Sequence, residues 1–360
     1  MSLEIGIVGL PNVGKSTLFN ALTSNDILAA NYPFATIEPN TGIVPVPDER
    51  LQKLADLYGS QKIVPATVTF VDIAGLVAGA SKGEGLGNKF LANIRECDAI
   101  VHIVRAFENG DIVHVADRIH PADDIDIINT ELILADIQTI DTKLPKLAKE
   151  AKAKPALREI AEYLESLKQT LETGTPLSAL KSLDREKLAE AGLQLLTAKS
   201  VIYAFNVDEE TLTDDAKKAE LTSLAAPNKA IFVCAKLEEE IKGLNPSDAM
   251  ELLESYGVQE TGLSQLITAA YDVLGLQSYL TAGQKEVRAW TIRKGSTAPQ
   301  AAGVIHTDFE RGFIAAQVVN YNDLVAAGSE TAAKAAGKVR TEGRDYVMQP
   351  DDVVEFRFNV

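Results

Sequence analysis

Short apolar runs along the chain alternate with amphipathic stretches. Strand-like runs, with the continuous apolar character of strands buried on both faces, occur at residues 3–8, 41–46, 66–71, 99–104, 201–207 and 230–234. Helix-type patterns occur at residues 88–96 and 262–274. Strands that alternate with helices in this way predict an α/β domain with a mainly parallel sheet covered on both faces.

A different pattern occupies residues 121–197, where no strand-like run occurs. Two apolar stripes advance by three and four residues at a time, which is coiled-coil spacing. The stripes consist of Ile133, Ile137, Ile140, Leu144 and Leu147, and of Leu157, Ile160, Leu164, Leu167 and Leu171. Pro155 suits the start of the second helix and Pro145 is expected to kink the first. The pattern predicts an inserted antiparallel helical hairpin whose stripes are core.

The end of the chain changes pattern again. Residues 285–292 and 353–358 alternate as strands do, and residues 326–336 are rich in alanine. We expect a small α+β domain of binding type over residues 278–360. The predicted organisation is therefore a nucleotide-binding domain from residues 1–120 and 198–277, the helical insertion at 121–197, and this C-terminal domain.

Composition narrows the class of protein. The chain has 360 residues, 46% of them hydrophobic, and a net charge of −16, so a generic basic nucleic-acid coat is excluded. No run is long enough to span a bilayer, and the N-terminus shows no secretory signal pattern. Two cysteines far apart do not indicate a disulfide framework. A cytoplasmic protein with no membrane partner is expected.

One segment has the opposite charge. Six basic residues and a single acid, Glu150, lie in residues 143–158. The basic residues are Lys143, Lys146, Lys149, Lys152, Lys154 and Arg158. Two interpretations stay open: an ordinary solvated helix face, or a contact surface for the phosphate backbone of RNA.

The strongest chemical signal is a complete G-x-x-x-x-G-K-[S/T] pattern at residues 9–16, between the first strand and the first helix. Such a loop cradles a triphosphate with backbone N–H groups. Lys15 is predicted to contact the β- and γ-phosphates and Ser16 to ligate Mg²⁺. The predicted nucleotide contacts in the loop are Asn12, Val13, Gly14, Lys15, Ser16 and Thr17.

Two further segments suit the γ-phosphate side of such a site. Asp72 ends a strand and is followed by Gly75 in a D-x-x-G pattern. The acid can hold Mg²⁺ through water, and the Gly75 N–H is predicted to contact the γ-phosphate of the nucleotide. Thr36 lies in the loop after the first helix and can complete the Mg²⁺ shell. Residues 79–87 are rich in glycine and suit a mobile switch. The predicted metal ligands are therefore Ser16, Thr36 and Asp72.

The base-reading motif of regulatory GTPases, N-K-x-D, does not occur in the sequence. The strand at residues 201–207 leads instead into Asn206, Val207, Asp208 and Glu209, with Glu209 at the position of the guanine-reading aspartate. A side chain one methylene longer cannot keep the same bidentate geometry, and a poor pairing costs about 1–3 kcal/mol. Weakened guanine selectivity is expected, although Asp208 or a shifted backbone could substitute.

These motifs together resemble a known family. The loop at residues 9–16, residues 32–39, residues 72–77 and residues 83–90 are similar to the Obg-related P-loop proteins, and residues 206–209, the hairpin and the C-terminal domain resemble their YchF branch. The resemblance covers essentially the whole chain. It implies a Ras-like G domain, an inserted coiled coil and a C-terminal TGS domain of β-grasp fold. It also implies hydrolysis of ATP in preference to GTP and association with ribosomes, with the large subunit expected.

The water-orienting glutamine of Ras-like enzymes is replaced by Leu76, which predicts slow intrinsic turnover. By resemblance to the family, His114 is the candidate catalytic residue beside Lys15, with a packing role as the alternative. His102, inside an apolar strand, is expected in the core. Asn12 is a candidate K⁺ ligand, or simply a residue that shapes the loop.

The sequence thus predicts a slow ATPase that acts as a ribosome- or RNA-associated switch. The alternatives are a translation-associated GTPase and an interaction module that binds nucleotide with little turnover. A metabolic kinase is less favoured, because no lid or acceptor site is recognisable.

Overall fold

The computed structural model describes residues 3–23, 40–73, 86–107 and 120–359. These residues form two compact units. The first unit holds residues 3–23, 40–42, 69–73, 86–107 and 120–270, and the second holds residues 43–68 and 271–359. The chain therefore passes from one unit to the other within two strands, as well as near residue 270.

A six-stranded sheet, the first sheet, has the order β2-β4-β1-β5-β6-β7. Its strands are β1 (Glu4–Val8), β2 (Thr41–Pro45), β4 (Thr67–Asp72), β5 (Ala99–Arg105), β6 (Ser200–Asn206) and β7 (Lys229–Val233). The strands from β4 to β7 in this order are parallel. Every residue of β5 is buried, which explains why the strands read as continuous apolar runs. The predicted mainly parallel sheet is confirmed.

Helices follow these strands in the first unit. They are α1 (Lys15–Thr23), α3 (Leu86–Glu96), α6 (Arg185–Glu190), α7 (Glu209–Thr213), α8 (Asp215–Ala225), α9 (Ala235–Ile241), α10 (Pro246–Ser255) and α11 (Gly262–Val273). The first, α1, begins directly after the glycine-rich loop. Ile94 of α3 and Leu18 and Leu22 of α1 are among the least exposed side chains of the unit.

The helical hairpin belongs to the first unit. It consists of α4 (Pro121–Ala151), which contains Pro145, and α5 (Ala156–Glu172). Both predicted stripes lie in one apolar cluster, with Ile140 and Leu164 fully buried. The interpretation of the stripes as core is therefore confirmed.

A buried carboxylate fixes the hairpin to the chain that leads into β6. Asp136 of α4 is fully buried and accepts hydrogen bonds from the backbone N–H groups of Leu196 and Thr197, both at 2.8 Å. The Thr197 hydroxyl donates a third at 2.7 Å. Burial raises the pKa of Asp136, and the three donors act against that rise. Each charge-assisted bond of this kind contributes about 1.5–3 kcal/mol, so the hairpin is firmly placed against β6.

The second unit contains a six-stranded sheet, the second sheet, in the order β11-β10-β12-β8-β9-β3. Its strands are β3 (Ile63–Val64), β8 (Leu276–Ala282), β9 (Val287–Arg293), β10 (Phe313–Asn320), β11 (Arg340–Glu342) and β12 (Asp352–Phe358). Its helices are α2 (Arg50–Tyr58), α12 (Ala298–Ile305), α13 (Thr307–Arg311), α14 (Tyr321–Ala327) and α15 (Glu330–Ala335).

The four central strands of the second sheet define its topology. β8 and β9 form one antiparallel pair, β10 and β12 form another, and β12 joins β8 in parallel. Between the pairs, α12 contributes Ala298, Ala301 and Ala302 to the core, which also contains Tyr279 and Phe313. This is the β-grasp arrangement that the resemblance implied.

Residues 43–68 correct one part of the predicted organisation, which placed them in the nucleotide-binding domain. In the structure β3 pairs in parallel with β9, and Arg50 of α2 binds Asp351 at 2.9 Å and the Pro350 carbonyl at 2.7 Å. The apolar pattern reveals a strand but not which sheet it joins, because that depends on pairing partners far along the chain. The other predicted domain boundaries stay predictions.

Among the described residues, no helix is long and apolar enough to cross a membrane. The predicted cytoplasmic location stays a prediction.

Candidate functional site

The glycine-rich loop connects the centre of the first sheet to α1. β1 lies between β4 and β5, with Ile5, Ile7 and Val8 fully buried. Two loop residues have left-handed backbones, Asn12 with φ 64° and Gly14 with φ 93°. This conformation turns successive N–H groups toward one side, which together with the start of α1 forms an anion-binding concavity.

Gly14 is required for a second reason, because another side chain approaches its backbone closely. A Cβ at this position would lie 2.4 Å from Nδ2 of Asn206. Asn206, at the carboxyl end of β6, is buried, and its Nδ2 donates a hydrogen bond of 3.0 Å to the Val13 carbonyl. Asn206, which was predicted on the base side of the site, therefore fixes the backbone of the phosphate-binding loop through this hydrogen bond.

Lys15 and Asp72 form an ion pair in the structure. Their side chains are 11% and 17% exposed, so the pair is largely shielded from solvent. They meet because β1 and β4 are parallel neighbours, with Ile7 opposite Asp72, and both strands end at the same edge. The structure thus brings together the predicted phosphate-binding lysine and the predicted metal-binding acid.

The residues around this pair fit Mg²⁺. Ser16 and Thr17 are exposed in the first turn of α1, beside Lys15, and hydroxyl and carboxylate oxygens are the ligands that Mg²⁺ prefers. Within the described ranges, no three His, Cys, Asp or Glu side chains cluster as a metal cage.

The base side of the site is formed by the residues that follow β6. Val207 is buried and donates its N–H to the Val233 carbonyl at 2.9 Å. Asp208 is the N-cap of α7, and its Oδ1 accepts from the Thr211 N–H at 3.0 Å and from the Thr211 hydroxyl at 2.6 Å. Because these bonds occupy one of its two carboxylate oxygens, Asp208 is poorly placed to read a base.

Glu209 has a different environment. Its side chain is 31% exposed, and its Oε1 lies 2.7 Å from Nζ of Lys236. Lys236 is in the first turn of α9, directly after β7, at the same edge of the sheet as Asn206. Glu209 is therefore half-buried at this end of the site, with its Oε1 shielded from solvent and paired with Lys236.

The sequence reasoning missed Lys236 and the segment 234–236. Cys234 is buried at the start of α9, and Lys236 pairs with a residue that was predicted as a site residue. A usable signal existed, since β7 is the strand next to β6 and its carboxyl end must lie beside Asn206.

Arg105 is a second feature that the sequence did not reveal. Among the described residues it is the largest fully buried side chain, and it ends β5, opposite Asn206 of β6. Its Nε donates to the Phe107 carbonyl at 3.3 Å, and its guanidinium lies 4.6 Å from the centre of the Phe107 ring. This buried cation packs against the edge where the strand ends meet.

Several predicted site residues, Thr36, Gly75 and His114, lie outside the described residues, as does Leu76. Of the other histidines, His102 is buried in β5, where burial lowers its pKa to about 3, and it is thus neutral. His102 is a core residue, as expected. His306 caps α13 in the second unit, where its Nδ1 accepts from the Asp308 N–H at 3.2 Å.

The basic end of the hairpin is exposed. Lys146, Lys149, Lys152 and Lys154 are all exposed, and within the described part of the chain none has a carboxylate within 4.0 Å. Arg158 pairs with Glu162 at 3.1 Å, one turn along α5. The lysines therefore present uncompensated positive charge on a chain with a net charge of −16.

Comparison with known proteins agrees with these observations. A family model described as a 50S ribosome-binding GTPase matches residues 4–170. The model YchF-GTPase_C, described as a protein of unknown function, matches residues 276–359. The chain is 52% identical to a protein of Bacillus subtilis named ribosome-binding ATPase YchF, over the full length of both. It is 53% identical to the protein of that name from Haemophilus ducreyi, again over the full length of both.

A solved structure matches as well. The YchF GTPase of Schizosaccharomyces pombe is 40% identical and superposes with a TM-score of 0.87, covering 99% of this chain and 98% of that one. With a phosphate loop, an inserted hairpin, a β-grasp unit and relatives of this similarity over the full length, the chain belongs to the YchF family.

Proposed function

We propose that this chain is a slow Mg²⁺-dependent ATPase that works as a nucleotide-dependent switch on the ribosome. The family relatives that match over their full length are named ribosome-binding ATPases. The observation that carries the proposal is the joint placement of the Lys15–Asp72 pair and of Glu209 at one edge of the first sheet.

Within this proposal, the loop and Lys15 bind the phosphates, and Ser16, Thr36 and Asp72 hold Mg²⁺. Mg²⁺ neutralises charge on the phosphates when it is bound. Lys15 and the loop N–H groups supply electrostatic stabilisation of the charge that develops on the transferred phosphoryl group. With Leu76 in place of a water-orienting glutamine, turnover without a partner is slow.

The preference for ATP follows from the base side. Adenine presents an amino group where guanine presents a carbonyl oxygen, and guanine also presents N1–H and N2–H₂ donors. Asp208 is used as a helix cap, and Glu209 is longer by one methylene than the aspartate that pairs with guanine. Guanine donors left without a partner would cost about 1–3 kcal/mol, which corresponds to roughly a tenfold to hundredfold preference.

A substitution tests this base assignment. Glu209→Asp should shift the ratio of ATP to GTP affinity toward GTP, by about tenfold, in calorimetric titrations with both nucleotides. Glu210→Asp is the matched control, because Glu210 is the exposed neighbour in the same helical turn, and it should leave the ratio unchanged. Tighter binding of GTP than of ATP by the unaltered protein would contradict the proposal.

A GTPase is the second candidate function, because both the N-terminal family model and the S. pombe structure carry that name. In that case Asp208 or a shifted backbone reads guanine. Asp208→Ala then abolishes GTP binding, whereas under the ATPase proposal it only weakens the cap of α7 and leaves ATP affinity within about twofold.

We also infer roles for two residues in hydrolysis. His114 would place the attacking water, so His114→Ala should lower ATP turnover with and without ribosomes by about a hundredfold or more. An unchanged rate rejects His114.

Asn12 would ligate K⁺, so turnover in KCl should exceed turnover in NaCl, and Asn12→Ala should remove the difference. Equal rates in the two salts would leave Asn12 as a residue that only shapes the loop.

Ribosome association would use the exposed basic end of the hairpin, residues 143–158, against RNA of the large subunit. Changing Lys149, Lys152 and Lys154 to Glu should weaken ribosome binding strongly and flatten its dependence on salt. Binding that survives these changes, or that does not respond to salt, would contradict the assignment of this surface.

A further inference from the structure

A groove of about 540 Å³ lies between α3 and α4 in the first unit. On α3 it is lined by Asn88, Leu91 and Arg95, which lie three to four residues apart and therefore share one face of that helix. On α4 the lining runs from Ala135 to Lys146 along one face. Leu193, from the turn before β6, closes one side.

The polar groups that line this groove are cationic or neutral. The lining contains three cations, Arg95, Lys143 and Lys146, and no acidic residue. Asn88 and Gln138 add exposed amide groups. Within the described ranges, none of the three cations has a carboxylate within 4.0 Å. The groove is therefore a concave site whose charge is not neutralised by the protein.

Two of these cations are held in place. Lys143 is half-buried, and its Nζ lies 3.9 Å from the position that a Cβ on Gly192 would take, which places it against the turn that closes the groove. Arg95 is half-buried in the last turn of α3. A guanidinium in this position offers a planar pair of donors that matches two oxygens of one phosphate.

One acid lies near Arg95, and it does not neutralise the groove. Asp136 is fully buried, and its oxygens accept from Leu196 and Thr197. Burial is the larger effect on the pKa of Asp136 and raises it, while the charge of Arg95 acts in the opposite direction. The carboxylate is thus bonded to the backbone of the chain before β6.

The groove continues into the basic end of the hairpin. Lys149 and Lys152 lie beyond the groove on α4 and its C-cap, about 13 Å along the axis from Lys143 to Lys152 at 1.5 Å per residue, and the side chains turn around the helix by about 60° at each step of three residues. A single free anion in the groove would leave Lys149 and Lys152 unused. A polymer with regularly spaced negative charges can occupy the groove and also contact these two lysines, and the phosphodiester backbone of RNA has this property.

We infer that the groove between α3 and α4 binds a backbone phosphate of RNA, in the fork of Arg95 and beside Lys143 and Lys146. The inference rests on the proposed ribosome association and adds a contact to it, because the groove joins Arg95 of α3 to Lys143 and Lys146 of the basic end of the hairpin. The contact spans the hairpin and α3, the first described helix after the strand that ends in Asp72.

Salt-dependent binding of a short fluorescein-labelled RNA hairpin, measured by anisotropy on the full chain, tests the inference. Arg95→Gln combined with Lys143→Gln should weaken binding about tenfold or more and reduce the slope of log K against log salt by about 1.5, since each lost phosphate contact removes about 0.7–0.9. The matched control is Lys181→Gln with Lys217→Gln, which removes the same charge from exposed positions outside the groove. It should change affinity less than twofold.

The outcomes separate the groove from the proposed function. If the unaltered protein binds neither this RNA nor ribosomes, the proposed RNA association and the groove both fail. If it binds, and Lys152→Gln with Lys154→Gln weakens binding while the groove variant behaves like its control, only the groove assignment fails. Polyglutamate that displaces the RNA at equal charge concentration would identify an acidic peptide as the occupant and overturn the RNA assignment.

Two checks guard against a variant that merely misfolds. Thermal unfolding and ATP affinity should stay at the values of the unaltered protein. If Arg95→Gln lowers stability through its neighbour Asp136, Lys143→Gln with Lys146→Gln repeats the test on α4 alone. The same loss of slope is expected, and an unchanged slope in this pair also overturns the inference.

Discussion

The two sheets have the same number of strands but place their polar side chains differently. In the first sheet, Lys15, Asp72 and Asn206 gather where parallel strands end. In the second sheet, buried polar groups lie within the structure and bind it together. The Tyr279 hydroxyl, for example, donates to the Ala301 carbonyl at 3.0 Å, and Gln277 donates to the Met348 carbonyl at 2.7 Å.

The difference follows from topology. The carboxyl ends of parallel strands all lie at one edge of the sheet, so residues that are distant in sequence lie close together there. Ligands of α/β folds bind at that edge. In a mixed sheet the strand ends alternate between two edges, and polar residues are spread out. The proposed chemistry therefore lies at the edge of the first sheet, whereas the buried polar groups of the second sheet stabilise its own fold.

The largest effect should come from the edge of the first sheet. Lys15→Ala should lower multiple-turnover phosphate release from ATP by at least about a hundredfold, because it removes the cation that stabilises charge on the phosphates. Lys53→Ala, an exposed lysine of α2, is the control. Slow phosphate release that is equal in the two variants would favour the interaction module in which nucleotide is only structural.

The second sheet offers the converse test. Asp352 is buried and accepts from the Tyr346 hydroxyl at 2.9 Å and from the Gln349 N–H at 2.8 Å. Asp352→Ala should lower the free energy of unfolding by about 2–3 kcal/mol, since two donors lose their partner. ATP affinity should not change. Urea unfolding measures the free energy of unfolding, and calorimetry measures ATP affinity. A loss of ATP affinity would contradict the assignment of nucleotide binding to the first sheet alone.

A third test concerns pH and again the first unit. Glu238 of α9 is 8% exposed and accepts from the Leu263 N–H at 3.0 Å, at the start of α11. Burial raises its pKa from 4.5 to about 7. The folded state therefore binds the proton more tightly than the unfolded state, so this group's contribution to stability is complete below pH 4.5 and is lost as pH rises to 7.

Glu238→Gln keeps the acceptor and removes the titration. The stability of the unaltered protein minus that of the variant should fall by about 2–3 kcal/mol between pH 4.5 and pH 8. Glu239→Gln, the exposed neighbour, should show no such trend. A difference that is constant across this range would mean that Glu238 titrates normally.

The smallest expected effect concerns the amide that joins the two sides of the site. Asn206→Ala removes the donor to the Val13 carbonyl, and we expect ATP and GTP affinity to fall together by about tenfold. Calorimetry with both nucleotides measures this. A selective loss of one nucleotide would show that Asn206 acts through the base rather than through the loop.

Much of the first unit could be predicted from the sequence. The central strands β1, β5 and β6 are mostly buried, so their apolar runs are continuous. The phosphate loop needs a fixed spacing of residues, which is recognisable as a sequence motif. Asp72 was also found, because a strand end is visible as the point where an apolar run meets an acid. The hairpin was predicted because its core repeats along two helices.

The parts that could not be predicted depend on contacts between distant residues. No neighbouring residue in the sequence shows whether Asp208 reads a base or caps a helix. The hydrogen bond to Thr211 shows that Asp208 caps α7. Lys236 can be recognised as part of the site only through its ion pair with Glu209. The contact of Asn206 with Val13 can be foreseen only when β1, β5 and β6 are known to be neighbours in the sheet. Residues 43–68 carry an ordinary strand and helix pattern whose partner is a sheet formed mainly by the end of the chain.

That last feature has a consequence for how the molecule is made. During synthesis, α2 and β3 leave the ribosome about two hundred residues before β8 and β9, the strands they pack against. They cannot pair with the second sheet until its C-terminal strands have also emerged from the ribosome. A fragment that begins at residue 271 lacks an edge strand and the Arg50 contacts, so cutting the chain once cannot yield the intact β-grasp unit.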